Sequence, residues 1–353
     1  MSSRTTDHGP SLALLPNWLG DLVMAAPALR CLKEEGPVVA VGAPALLDLA
    51  RDWGFVDEAV DYERRGSDRG VRGIWRTARR IRAHRPHRAL IFPPSFRAAL
   101  LAFLSACPRR RGFPGDGRAF LLDEPYPAPR PPRSRHQARV WRAMARGEAL
   151  VETDTHEPLS LQPGSAAQAA LRELRQRVPE LAAAGHFAVL APAVRYGPSK
   201  QWPAKYFHDL AQKITEELDL QVVVVAGAGS EEGEVAADTS RGLSAVNLAG
   251  KTDLLALSAL LAQAALFVGN DSGPAHLAAA MGTPTLTIFG STNPNWTAPL
   301  GERARTSGPH PVPCTPCYLK LCPIGLPCLK ELTVDEVWHE VLELNRGENA
   351  QQV

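Results

Sequence analysis

Between Asn270 and His276 the chain reads Asn-Asp-Ser-Gly-Pro-Ala-His, a run whose residue types and spacing suit a phosphate. Pro274 favours the first turn of a helix. Ser272 and Gly273 therefore stand where a helix start offers backbone N–H groups, a hydroxyl and the positive end of its dipole. Gly273 also lets the backbone approach a ligand closely. Asp271 would repel a phosphate that it faced, so it is expected to orient the turn or to bind a ligand hydroxyl. The same residues admit a plainer reading, in which Asp271 or Ser272 only caps the helix and His276 is a packed residue one turn in.

Three other groups bear on chemistry. Lys200 lies in a loop containing Gly197, Pro198 and Pro203, where an ammonium can offset charge developing on a leaving group or can simply be solvated. Asp21 follows the first apolar segment at the start of a helix. There it is either a cap or a base, and the helix dipole would weaken it as a base. Gly227-Ala228-Gly229-Ser230-Glu231 follows a β-branched run, but Glu232 stands where the dinucleotide fingerprint needs its third glycine.

Cys314, Cys317, Cys322 and Cys328 form C-x₂-C-x₄-C-x₅-C. Only the first pair has ordinary metal spacing, so a structural zinc is not favoured and no metal site is assigned.

The elements that must position these groups alternate between strand and helix. Apolar runs at Ser11 to Leu15, Val38 to Val41 and Ala89 to Phe92 are strand candidates, as is Ala59 to Asp61. Helices are expected over Asp21 to Glu35, Pro44 to Trp53 and Phe96 to Ala106. Arg64 to Arg88 places Ile74, Ala78 and Ile81 on one face among many arginines, the pattern of an amphipathic surface helix. Five prolines between Pro125 and Pro132 exclude regular structure there.

After a linker around Leu161 to Ser165 the pattern restarts. Strands are expected at Phe187 to Leu190, Gln221 to Ala226, near Val246, at Leu266 to Val268 and at Thr283 to Phe289, with helices between them. Strand and helix alternating twice over predict two α/β domains, each a doubly wound Rossmann-like sheet, with the active site in the cleft between them at the carboxyl ends of the strands. The domains are placed at residues 1–162 and 163–353.

No apolar stretch reaches the roughly 20 residues of a spanning helix, and residues 1–9 lack the apolar core of a secretion signal. A cytoplasmic location is expected. Residues 1–150 hold 25 Lys and Arg against 15 Asp and Glu, whereas the remainder holds 14 against 22. The basic half points to an anionic partner or to helix faces solvated by arginine. Its sparse aromatics do not interleave with the arginines as a nucleic-acid reader requires, so no nucleic-acid partner is expected.

Four motifs in order carry a family resemblance: Pro16-Asn17-Trp18-Leu19-Gly20-Asp21, Pro94-Ser95-Phe96-Arg97, Gly197-Pro198-Ser199-Lys200-Gln201-Trp202-Pro203, and the stretch from Asn270 to Leu300. Over most of its length the chain resembles the bacterial ADP-heptose:lipopolysaccharide heptosyltransferases, particularly the heptosyltransferase II group of glycosyltransferase family 9.

The resemblance implies the GT-B fold: an N-terminal acceptor-binding domain, a C-terminal nucleotide-sugar-binding domain, and a last helix that can pack back on the first. It implies an inverting transfer of L-glycero-D-manno-heptose from ADP-heptose to the heptosyl inner core of lipopolysaccharide. The alternative is a GT-B transferase or epimerase acting on another nucleotide sugar. Asp21 matches the family's catalytic carboxylate, and Lys200 matches the lysine that stabilises the departing diphosphate. Ser272, Gly273 and His276 match its phosphate ligands, with Asp271 beside them. Glu231 falls where the ribose is contacted and Thr252 where the adenine is contacted.

Arg97, Arg109, Arg110 and Arg111 are assigned to the acceptor side, facing a phosphorylated lipopolysaccharide core. The enzyme is expected at the cytoplasmic face of the inner membrane as a peripheral protein. No cofactor is strictly required, although the chemistry leaves room for a divalent cation.

Overall fold

A strand buried on both faces must be largely apolar, and five segments are buried at every position: Ser11–Leu14, Val38–Gly42, Phe187–Ala191, Leu266–Asn270 and Thr285–Ile288. They are the inner strands of two parallel sheets in a computed structural model that describes residues 9–64, 66–129, 132–150 and 158–347. Residues 1–8, within the segment read as lacking the apolar core of a secretion signal, lie outside this range, as do Arg65 of the basic segment and Arg130 and Pro131 of the proline run. The chain divides into two compact units, Met1–His156 and Glu157–Val353.

The first unit contains β1 (Ser11–Leu14), α1 (Leu19–Glu35), β2 (Val38–Gly42), α2 (Pro44–Asp52), β3 (Glu58–Asp61), α3 (Gly70–Ala83), β4 (Arg88–Ile91), α4 (Phe96–Leu104), β5 (Arg109–Gly112), β6 (Glu124–Pro125) and α5 (Gln137–Arg146). Its sheet runs β3-β2-β1-β4-β5-β6, and every pair is parallel. β5 and β6 are absent from the sequence-based reading because Arg-Arg-Arg-Gly and Glu-Pro carry no apolar signal. Cross-strand pairing supplies it: Arg109 Nε donates to Glu124 Oε1 at 2.7 Å and Arg111 Nε to Glu124 Oε2 at 2.8 Å. α3 is shorter than the segment read from sequence, and Ile74, Ala78 and Ile81 form its buried face.

The second unit contains α6 (Ser165–Arg177), α7 (Pro179–Ala183), β7 (Phe187–Ala191), α8 (Ala204–Leu218), β8 (Gln221–Val224), α9 (Ser230–Ser240), β9 (Val246–Asn247), α10 (Leu254–Leu261), β10 (Leu266–Asn270), α11 (Gly273–Ala280), β11 (Thr285–Ile288), α12 (Pro294–Thr297), β12 (Ala304–Ser307), α13 (Pro327–Lys330) and α14 (Val334–Asn345). The sheet order is β12-β11-β10-β7-β8-β9, again all parallel. Read from the other edge, it repeats the first sheet's winding.

Each order reverses once, between β1 and β4 and between β7 and β10. Such switch points at the carboxyl ends of strands are where doubly wound sheets bind ligands. The last helix, α14, starts with a capping box in which Thr333 and Glu336 satisfy each other's backbone N–H groups. It packs on α8, β11 and β12 of its own unit. Among the described residues no helix is long and apolar enough to cross a membrane.

Candidate active site

In the second unit the switch point gathers residues from two loops. β7 runs into the loop that ends at Lys200, and β10 runs directly into Asp271 and Ser272. Asn270, the last residue of β10, ties the two together. Its buried side-chain Nδ2 donates to Pro192 O at 2.6 Å, and its Oδ1 accepts the Trp202 backbone N–H at 2.9 Å. Trp202 is fully buried, and its Nε1 donates to Leu332 O at 2.9 Å, so the loop is anchored just beyond Lys200. At the loop's other end Gly197 has φ +156, and a Cβ there would lie 2.7 Å from Lys320 O. Only glycine permits that approach.

Held in this way, Lys200 Nζ lies 2.5 Å from Asp271 Oδ2. The pair is largely withdrawn from water, with side-chain exposures of 16% and 4%. Thr292 Oγ1 donates to the same carboxylate oxygen at 2.5 Å. This resolves the awkwardness of an aspartate beside an expected phosphate: Asp271 is turned toward an ammonium and a hydroxyl and thereby fixes the ammonium's position. Lys200 Nζ also lies 5.3 Å from the Tyr196 ring centroid, and Lys320 Nζ lies 5.6 Å from it.

The start of α11 stands beside this pair. Ser272 occupies the cap position with φ −152 and ψ 171, yet its side chain makes no capping hydrogen bond. Its Oγ and the His276 Nδ1 are both buried without a hydrogen-bond partner. Since buried polar atoms are nearly always paired, two unpaired atoms at one helix N-terminus mark a place suited to an anion. The capping explanation fails for both residues, because Ser272 does not cap and Asp271 is engaged elsewhere.

Burial lowers the His276 pKa to about 4, with Asp271 raising it and Lys200 lowering it further. The ring is therefore neutral at pH 7. In the unfolded chain an imidazole takes up its proton near the ordinary value of 6.5, so below that pH the unfolded state binds the proton first. The stability that the neutral ring carries is complete above pH 6.5 and is lost as pH falls toward 4, on the order of 3 kcal/mol in all. Urea midpoints of the wild type are expected to drop across that window, and His276→Gln is expected to flatten its share of the slope. Parallel curves for the two proteins would contradict this origin.

The other donor-side candidates lie along the same edge of the sheet. Glu231, in the first turn of α9, follows β8 and is exposed. Beside it the Glu232 carboxylate turns back over Gly227 and Gly229, where an added Cβ would meet it at 2.5 and 2.7 Å, and lies 3.8 Å from Arg195. Thr252 is partly buried after β9, just ahead of Asp253, whose side chain caps α10 by accepting from Ala256 N at 2.7 Å. Lys200, Glu231, Thr252 and Ser272 thus follow β7, β8, β9 and β10, four strands contiguous in the sheet. Tyr196, Thr292 and Lys320 are missing from the sequence-based set. Tyr196 lay within the Ala191 to Pro203 loop, but nothing in its type or spacing marked it.

In the first unit Asp21 is the third residue of α1, partly exposed, after the end of β1. The cap position belongs to Trp18, so Asp21 is not the N-cap residue. Arg97 follows β4 in the first turn of α4, where Nη2 donates to Asp68 O and Gly70 O at 3.3 Å each. Arg109, Arg110 and Arg111 form β5 itself. Arg109 and Arg111 pair with Glu124, and Arg110 Nη2 lies 2.9 Å from Asp123 Oδ2. The triplet's charge is largely matched within the sheet edge, which leaves less of it to face an acceptor than the sequence suggested.

Cys314 is exposed, Cys317 and Cys322 are partly buried, and Cys328 is buried, all as free thiols. Among the described residues no three His, Cys, Asp or Glu side chains are gathered as a metal site. Backbone N–H groups of Ile324 and Leu326 lower the Cys322 pKa, whereas burial, followed by the thiols of Cys317, Cys322 and Cys314, pushes Cys328 up to about 11. The thiolate is the reactive form, so iodoacetamide near neutral pH is expected to label Cys322 well before Cys328. Peptide mass spectrometry over a labelling time course checks the order.

A family model described as glycosyltransferase family 9 (heptosyltransferase) matches residues 74–326. Lipopolysaccharide heptosyltransferase 2 of Salmonella typhimurium is 29% identical over 302 residues, covering 83% of this chain and 86% of that protein. The solved structure of Escherichia coli ADP-heptose lps heptosyltransferase II superposes with a TM-score of 0.77 at 23% identity, covering 97% of this chain and 100% of the other. A family 9 glycosyltransferase structure from Veillonella parvula gives 0.81 at 18% identity, with coverage of 98% and 100%. Both structures share the GT-B fold seen here.

Proposed function

The chain belongs to glycosyltransferase family 9, and from that membership we propose that it transfers L-glycero-D-manno-heptose from ADP-heptose to a heptose of the lipopolysaccharide inner core, with inversion at the anomeric carbon. The observation that carries this reading is the switch point of the second unit. There a lysine is held in place by Asp271 beside a helix start whose hydroxyl and imidazole lack partners. That set suits the diphosphate of a nucleotide sugar, which carries two charges and gains a third as it departs.

In this account the second unit binds the donor. The Ser272 hydroxyl, the Gly273 N–H and the dipole of α11 take phosphate oxygens, His276 lines the same turn, and Lys200 neutralises charge that grows as the sugar–phosphate bond breaks. Asp271 holds Lys200 and can exchange that contact for a donor sugar hydroxyl. Glu231 takes the ribose and the Thr252 backbone the adenine. The first unit binds the phosphorylated core acceptor, with Arg97 on that side. Asp21 accepts the proton of the attacking hydroxyl as the new bond forms. A carboxylate is a weak base for an alcohol, but it suffices when the hydroxyl becomes acidic only late in the transition state. In this reading the leaving charge is taken by these protein groups, and no step is assigned to a metal.

Since such an acceptor is lipid-linked, the enzyme works as a peripheral protein at the cytoplasmic face of the inner membrane. The donor assignment is tested by competition. With ADP-heptose and UDP-sugars present together, ADP release is expected to continue and UDP release to be absent. Release of UDP with no consumption of ADP-heptose would overturn it and favour a GT-B enzyme of other specificity.

A further inference from the structure

A surface cleft outside the site lies on the first unit. It is about 530 Å³ in volume and is lined by Trp75, Ala78, Arg79, Arg82, Ala83, Arg85 and Leu104. Two features of its surroundings are hard to reconcile with an ordinary solvated face. The first is charge: residues 69–85 contain seven arginines and no acidic residue. Asp68, just outside this stretch, pairs with Arg76 at 3.0 Å, and Arg80 donates to Asp61 O at 3.1 Å. Among the described residues no carboxylate pairs with Arg79, Arg82 or Arg85.

The second feature is apolar exposure. Trp75 is 56% exposed, Phe103 46% and Leu104 39%. On α4, Phe96, Leu100, Phe103 and Leu104 follow the spacing of a single helix face, and Phe120, 74% exposed, packs beside Phe96 with ring centroids 6.2 Å apart. Arg79 lies over the Trp75 ring at 4.9 Å and Arg110 over the Phe103 ring at 5.1 Å. Guanidinium groups thus sit directly against aromatic rings that face water.

Exposed Trp, Phe and Leu beside arginines of neighbouring elements form an amphipathic surface of the kind that lies in a lipid interface. The rings and Leu enter the acyl boundary while the cations meet headgroup phosphates. The buried faces of both helices are already filled by their own unit's core, since Ile74, Ala78, Ile81, Ala98, Ala99, Leu101 and Ala102 belong to one cluster. On the outer faces Leu100 still packs against that cluster, whereas Trp75, Phe103 and Leu104 are not part of it and remain exposed.

We propose that the outer face of α3 and α4 docks on an anionic lipid bilayer, with Arg79, Arg82 and Arg85 taking lipid phosphates in the cleft and Trp75, Phe103 and Leu104 inserted beside them. The proposal deepens the reading of a lipid-linked acceptor and rests on it for its purpose, but the docking itself needs neither donor nor acceptor. It places the membrane-facing charge on arginines of α3 and the turn after it, whereas those of β5 are paired with carboxylates.

The test is sedimentation of the full chain with phosphatidylcholine vesicles, with and without phosphatidylglycerol. Binding is expected only when phosphatidylglycerol is present, and it should weaken with salt. The variant Arg79→Ser/Arg82→Ser/Arg85→Ser should bind about 100-fold more weakly, from the contribution of each basic residue at a charged surface. The triple Arg→Lys variant should retain most of the binding, which separates charge from misfolding. Trp75→Ser/Leu104→Ser should retain low-salt binding and lose what persists at high salt.

Equal binding to neutral and anionic vesicles would overturn the proposal. So would wild-type binding by the serine triple, or retention on nucleic acid with none on vesicles. Transfer onto a detergent-dispersed core acceptor is measured alongside and is expected to be unchanged in the serine triple. Vesicle binding without any transfer by the wild type would leave the docking surface standing and remove the acceptor reading.

Discussion

Lys200→Ala is expected to lower kcat for the proposed heptosyl transfer by about 10² to 10³-fold, the usual cost of removing one preorganised group that stabilises a developing anion. The loss falls on kcat more than on the KM for ADP-heptose, because the ammonium's charge matters most once the sugar–phosphate bond is breaking. The substitution has a second effect that must be separated from the first. It strands the Asp271 carboxylate, which is only 4% exposed, leaving a buried charge without its cation at a cost of about 3 to 5 kcal/mol of stability. Thr292 alone then satisfies it. Lys200→Ala/Asp271→Asn removes the stranded charge, so the double variant should recover most of the stability and little of the turnover. If turnover returned along with stability, Lys200 would be structural and the leaving-group role would fall.

Asp21→Asn is expected to reduce kcat by about 10² to 10⁴-fold, the range of a positioned general base, and to leave ADP affinity unchanged. Asparagine keeps the size and hydrogen-bonding reach of the side chain but cannot accept the proton. Asp21 is partly exposed in the first turn of α1, so the substitution is not expected to create a cavity. Calorimetric titration with ADP, run beside single-turnover transfer, reads the two effects independently. Turnover near wild type would remove Asp21 from its role, and a parallel loss of ADP binding would show that it acts through the fold.

The inner strands of both sheets were legible because burial on two faces leaves a composition that a sequence shows directly, as in Val-Val-Ala-Val-Gly of β2 and Leu-Phe-Val-Gly-Asn of β10. β5 and β12 were not, since Arg-Arg-Arg-Gly and Ala-Arg-Thr-Ser are set by the register of neighbouring strands and by partners such as Glu124 and Glu343. α5 was hidden in the same way: Val140, Trp141 and Met144 are buried, but they lie in an arginine-rich segment just after a run of prolines.

At the site, the turn from Asp271 to Gly273 could be recognised because its chemistry is local. The ion pair between Lys200 and Asp271 could not, because it joins residues 71 positions apart that only the adjacency of β7 and β10 brings together. The same limit made Arg109, Arg110 and Arg111 look available, since their carboxylate partners come from the following strand and the residue before it.

The most direct test is a reaction of the purified chain with ADP-heptose and a heptosylated lipopolysaccharide core acceptor, with ADP release and product mass followed together. The account predicts one ADP released for each acceptor that gains a single heptose, and loss of both signals in Asp21→Asn. Consumption of another nucleotide sugar with no change in the mass of the core acceptor would contradict it.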